Sequence, residues 1–195
     1  MVPFRMVSID PGTTTLGIAV SEFDDDLSRM VVVDAMTIRG DILAKRYNPE
    51  YILRHGDRNA RLIALRGALK RYFDTWLPTV ICSEAAYLGR SAQAYAALIE
   101  AVSMIRYACE LYDPSIRLET FTPSEVKVGV GVGGRSGDKE LMRAALEKVE
   151  DLWIQVPLDS LDEHAIDAIA VGYVKFMTNI RGTRHEYPQC RGTAG

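Results

Sequence analysis

At 195 residues, with 48% hydrophobic and 25% charged side chains, the chain has the composition of one globular domain able to bury a core. No apolar run approaches the ~20 residues of a membrane span, the start Met1-Val2-Pro3-Phe4-Arg5 is not a secretory signal, and Cys82, Cys109 and Cys190 form neither a CxxC pair nor an even set. These features exclude a membrane protein, a disulfide scaffold and a zinc ribbon, and they imply a reducing, intracellular setting.

Residues 5–10 read as a short buried strand broken by Pro11-Gly12. Leu16 to Phe23 alternates as its hairpin partner, and Arg29 to Ile38, with Val31-Val32-Val33, supplies a third strand. The acidic turn Asp24-Asp25-Asp26 lies between the last two, so the first 38 residues predict an antiparallel meander.

Residues 39–57 carry Gly, Asn-Pro and His-Gly punctuation without a clean period, and the expectation there is a mobile insertion. From Asn59 the period becomes helical, with Leu62, Leu65, Leu69, Tyr72 and Trp76 on one stripe until Pro78 stops it. Thr79 to Ser83 is a continuous apolar strand of the kind buried on both faces. A helix over about Ala92–Tyr112 follows. It carries Leu98, Ile99, Val102, Ile105 and Cys109 on one side, and alanines around the rest allow close approach, by the chain itself or by a second copy.

Ile116 to Phe121 reads as a fifth strand, and Thr122-Pro123-Ser124-Glu125 as a helix start. A glycine-rich loop over 129–137, a helix from Asp138 to Glu150, a linker after Pro157 and a last helix from about Leu161 to Met177 complete the chain. The expected fold is α/β, a mixed five-stranded sheet flanked by helices. One domain over 1–178 contains the insertion at about 39–57, and a flexible basic tail occupies 179–195.

The net charge of −3 argues mildly against nucleic acid, since phosphate binders neutralise charge with Lys and Arg. The average hides an asymmetry. From Arg39 to Arg71 nine basic residues face three acids, nine minus three or +6, and a clustered basic surface can bind a polyanion on an acidic protein. The alternative is the solvated face of a helix.

Four residues able to bind metal stand at the ends of buried elements: Asp10, Glu84, and the pair His164 and Asp167 at the head of an apolar helix. Charges are rarely left in such places without a compensating cation. The strands ending in Asp10 and Glu84 are separated by a crossover helix, so they can lie side by side, and residues at i and i+3 share a helix face. Oxygen ligands with one imidazole suit Mg²⁺ or Mn²⁺, and two such ions could clamp the attacking and leaving oxygens of a phosphodiester displacement. Asp10 could otherwise be a turn residue, Glu84 an exposed strand end, and Asp162 or Glu163 a helix cap or a substitute for His164.

The pieces Ile9-Asp10-Pro11-Gly12 with Gly17, then Ser83-Glu84, then Thr122-Pro123-Ser124-Glu125-Val126-Lys127 with Gly133-Gly134-Arg135 and Asp138-Lys139-Glu140, then His164-Ala165-Ile166-Asp167-Ala168-Ile169-Ala170 resemble, in order, a RuvC-type Holliday junction resolvase. The resemblance spans roughly residues 5–175. It implies a ribonuclease-H-like fold, a homodimer, and paired symmetric nicking of four-way DNA junctions dependent on Mg²⁺ or Mn²⁺, with two ions in each site. It assigns Asp10, Glu84, His164 and Asp167 to the metal-binding catalytic set and Lys127 and Lys139 to DNA near the scissile phosphate, with Arg135, a further DNA-binding candidate, in the loop between them. Tyr87, beside Gly89-Arg90, falls where the family places an aromatic that stacks on opened bases, and every base offers a π-face for that. The 39–57 insertion is longer than the family pattern leads one to expect and the tail has no clear counterpart in it, which leaves a looser branched-DNA nuclease or a non-catalytic junction binder as alternatives. Gly129 to Gly134 fits GxGxxG literally but lacks the βαβ context of a dinucleotide site. An actin-like ATPase is excluded by length, because that architecture needs two such domains.

Overall fold

The computed structural model describes residues 4–47, 49–89, 91–133 and 139–181. Strands β1 (Arg5–Asp10), β2 (Thr15–Phe23) and β3 (Met30–Arg39) form the antiparallel meander. Helices α1 (Gly40–Ala44), α2 (Pro49–His55) and α3 (Asp57–Trp76) lead to β4 (Val80–Glu84), which pairs parallel with β1. Helix α4 (Ala92–Tyr112) crosses to β5 (Glu119–Phe121), parallel to β4. Helices α5 (Pro123–Gly129) and α6 (Lys139–Leu146), strand β6 (Leu152–Ile154) and α7 (Glu163–Lys175) follow. The sheet order is β5-β4-β1-β2-β3-β6.

The sheet therefore has six strands, one more than the sequence pattern predicts. The sixth, β6, is only three residues long and pairs parallel with β3 at Met30 to Val32. So short a segment has no detectable period, and its pairing with an existing strand stabilises it. The 39–57 insertion also differs from expectation. Two short helices fill most of it, and none of the residues of α2 is buried, so no apolar stripe marks it in the sequence. The tail expected from residue 179 begins inside a π-turn, Phe176–Ile180, and the residues beyond Arg181 lie outside the described ones.

Strand parity decides which side chains meet which layer. On one face Val7, Ile9, Leu16, Ile18 and Val20 pack with Leu65, Leu69 and Phe73 of α3 and with Val102, Ile105 and Cys109 of α4. On the other, Met6, Ala19, Val80 and Cys82 pack with Val126 of α5, Met142 of α6 and the apolar length of α7. Helix α7 is buried almost all round, from Ala165 to Lys175, so it forms the centre of that layer. Gly172 lets it lie close to β1, since a Cβ there would meet Ser8 Oγ at 2.7 Å. Among the described residues, no helix is long and apolar enough to cross a membrane.

Candidate active site

Alternation carries Asp10 to the α7 side, because Met6 and Ser8, its parity partners, already face that helix. The same rule sends Glu84 there, two residues beyond Cys82 and four beyond Val80. The parallel register sets Ile9 opposite Ser83, so the two acids emerge from neighbouring strands at one edge of the sheet. Asp10 pairs across the hairpin with Gly17. That glycine admits the head of α7: a Cβ at 17 would stand 1.9 Å from the carbonyl oxygen of His164.

Helix α7 starts where the site needs it. Asp162 is the N-cap, its side chain accepting from the N–H of Ala165 at 3.1 Å and from the Thr37 hydroxyl. Those bonds hold the Asp162 carboxyl below its ordinary range although burial works against them. Asp162 is thus committed to capping, and His164 and Asp167 face the strand ends. His164 Nδ1 lies 2.8 Å from Asp10 Oδ2, and its Nε2 lies 2.8 Å from Thr15 Oγ1. An ionised carboxylate only accepts, so Nδ1–H donates to Asp10 and Nε2 faces the hydroxyl. The side chains of Asp10 and His164 are 16% and 33% exposed, which leaves the pair reachable from solvent.

The electrostatics report crowded negative charge. Burial pushes Glu84 up to about 8, helped by Asp10 and Asp167 and opposed by Lys127. Burial and then Asp10 push Asp167 up to about 6. Asp10 is raised as well, because burial outweighs the hydrogen bond from His164. The bond to Asp10 raises His164 against the opposing effect of burial. Three carboxyls that repel one another at a partly dry sheet edge favour an added cation.

The donor set fits a hard divalent ion in type, three carboxylates with one imidazole. It is not closed around a point: among the described residues, no three acidic, histidine or cysteine side chains surround one position at ligand distance. Both ring nitrogens of His164 are engaged within the protein.

The other predicted contacts distribute unevenly. Lys127, on α5, is near enough to Glu84 and Asp167 to lower both. The turn bearing α5 is fixed by a capping box, in which Thr122 and Glu125 satisfy each other's backbone N–H groups. Tyr87 is 59% exposed, on the loop that follows Glu84. Lys139 opens α6. Arg90 and Arg135 lie outside the described residues. One participant escaped the sequence pattern. Thr15 shares the parity of Gly17 and Ala19, and that signal could have found it. Glu163, which could be read from sequence as a cap or a substitute ligand, stands 4.0 Å from His164 Nε2 and adds to the repulsion on Asp10 and Asp167.

No family model matches the chain. It is 28% identical over 163 residues to the crossover junction endodeoxyribonuclease RuvC of Mycolicibacterium vanbaalenii, covering 83% of this chain and 76% of that protein. It is 25% identical over 163 residues to RuvC of Prochlorococcus marinus, covering 83% and 92%. The structure of Thermus thermophilus RuvC in complex with a Holliday junction substrate aligns with a TM-score of 0.58 at 15% identity, over 88% of this chain and 92% of that one. The α/β fold is ribonuclease-H-like, and in sequence and fold the chain is similar, at low identity, to RuvC proteins.

Proposed function

We propose that this divergent RuvC-type chain is a metal-dependent endonuclease that resolves four-way DNA junctions by paired symmetric nicks. The observation that supports it most is the meeting of Asp10 and Glu84, on adjacent parallel strands, with His164 and Asp167 on the helix laid across their ends.

Asp10, Glu84 and Asp167 are the residues to hold Mg²⁺ or Mn²⁺, with His164 at their edge. Such ions, two per site, supply Lewis-acid activation of water and charge neutralisation at phosphorus. Asp10 fixes the ring of His164 through Nδ1, so Nε2 is the atom that holds or passes a proton, and Thr15 is its partner in the resting state. Lys127 offsets negative charge where the phosphate must approach. Tyr87, exposed beside the site, stacks on a base opened at the branch. Lys139, Arg90 and Arg135 add further phosphate contacts.

Two nicks require two sites. The first half of α4, residues 92–100, has no buried residue, and at i, i+4 and i+7 it presents Ala92, Ala96 and Ile99 outward on one face. That small, apolar face is the proposed homodimer contact.

The test is cleavage of four-way, forked and linear duplexes side by side with Mg²⁺. Symmetric paired nicks confined to the four-way substrate are expected. Equal cutting of forks would instead favour a looser branched-DNA nuclease, and binding without any nick would favour a junction-recognition protein.

A further inference from the structure

The helical arm of residues 40–55 is not needed to complete the sheet, yet it is rooted at the site. Gly40 N–H donates to the carbonyl oxygen of Thr14 at 2.8 Å, and Arg61 Nε, early in α3, donates to that of Thr13 at 3.2 Å. Both carbonyls belong to the hairpin between Asp10 and Thr15, so the arm leaves the body beside the carboxylate cluster. It also carries charge that the protein does not spend internally. Arg39 pairs with Asp41 and Arg58 with Glu100, but Lys45, Arg46 and Arg54 have no acidic partner among the described residues, and all three are exposed.

An aromatic stack holds the arm in shape. The rings of Tyr47 and Tyr51 lie 5.5 Å apart and those of Tyr51 and His55 4.4 Å, a continuous strip of three rings. A stack of this kind limits the freedom that a surface arm would lose on binding.

We propose that this arm is a second DNA-gripping surface: Lys45, Arg46 and Arg54 clamp the phosphates of the duplex arm that leaves the cleavage site, and Tyr47, Tyr51 and His55 hold them in line. The partner is a phosphate backbone, because the unspent charge is positive and adjoins the catalytic edge. The inference rests on the junction-cutting reading above. An open apolar recess of about 430 Å³, lined by Pro49, Ile52, Leu53, Gly56 and Asp57, also lies on the arm, and a protein partner seated there is the competing occupant.

The experiment is fluorescence anisotropy of a labelled four-way junction with the full chain, titrated between about 50 and 200 mM salt in Ca²⁺. Replacing Lys45, Arg46 and Arg54 together by Ala is expected to reduce the slope of log K against log salt by about 2–3 and to weaken binding ~10-fold or more. Arg54→Ala alone should reduce the slope by about 1. Tyr51→Ala should weaken binding with the slope unchanged, because it loosens the arm without removing charge. Removing Arg117 and Lys148, exposed residues that precede β5 and β6 at the strand ends away from Asp10, should leave the slope unchanged. Wild-type affinity and an unaltered slope in the triple variant and in Arg54→Ala overturn the inference alone and leave the arm to a protein partner. Failure of the wild type to bind any junction overturns the nuclease reading and the inference with it.

Discussion

Asp10 both receives a hydrogen bond from His164 and repels Glu84 and Asp167, so its charge is felt by the whole cluster. The raised carboxyl groups give the metal-free protein a definite pH dependence. A carboxyl with a raised folded-state pKa keeps its proton where the unfolded chain has lost it, so stability is highest below the unfolded value and declines as pH rises through the folded one. For Glu84 that window runs from the ordinary 4.5 to about 8, for Asp167 from 3.8 to about 6, and His164, also raised, acts in the same direction above 6.5. The melting temperature in EDTA is therefore expected to fall between pH 5 and 8, and Mg²⁺ to recover it at pH 8 by screening the same charges. Glu84→Gln should raise the metal-free melting temperature at pH 8 by about 3 °C or more while abolishing cleavage. A melting temperature that climbs through this window would contradict the assignment of buried, mutually repelling acids.

At the scale of elements, the site depends on how closely α7 approaches the hairpin. Gly17→Ala sets a methyl 1.9 Å from the His164 carbonyl, a backbone atom that cannot swing aside. Such a substitution is expected to cost about 2 kcal/mol or more in denaturant unfolding. It should also reduce nicking more than ~100-fold, because a small displacement of a reacting group is costly. Wild-type unfolding and activity in Gly17→Ala would show that α7 need not seat there.

This element logic was legible in the sequence to a large extent. The continuous apolar runs Met6-Val7-Ser8-Ile9 and Val80-Ile81-Cys82-Ser83 mark two strands buried on both faces that end in Asp10 and Glu84, and the capping signal at Thr122 marks α5. What escaped has a common physical cause. Strand β6 is too short to show a period, α2 buries nothing, and Ile99 on the α4 stripe is 43% exposed because that half of the helix extends past its packing partners. Patterning reports burial inside one chain, and these segments are shaped by pairing, by surface contacts or by the proposed second copy. The ties from His164 to Thr15, 149 residues apart, arise only when the helix docks.

For the whole molecule, paired nicking demands two sites set by one interface. If the first half of α4 is that interface, Ala96→Glu should convert a dimer in light scattering to a monomer. It should leave the monomer folded, since Ala96 is exposed, and change coordinated double cuts into slow single nicks. A wild-type chain that stays monomeric on a junction would remove the paired mechanism.

The central claim is that three acids and one imidazole, drawn from both strand ends and α7, cut DNA together. Its most direct measurement is strand scission of a synthetic four-way junction in Mg²⁺ by the wild type and by Asp10→Asn, with binding recorded in parallel. The account predicts symmetric nicks by the wild type, and a loss of at least ~1,000-fold in Asp10→Asn with junction affinity retained. Undiminished cutting by Asp10→Asn would contradict it.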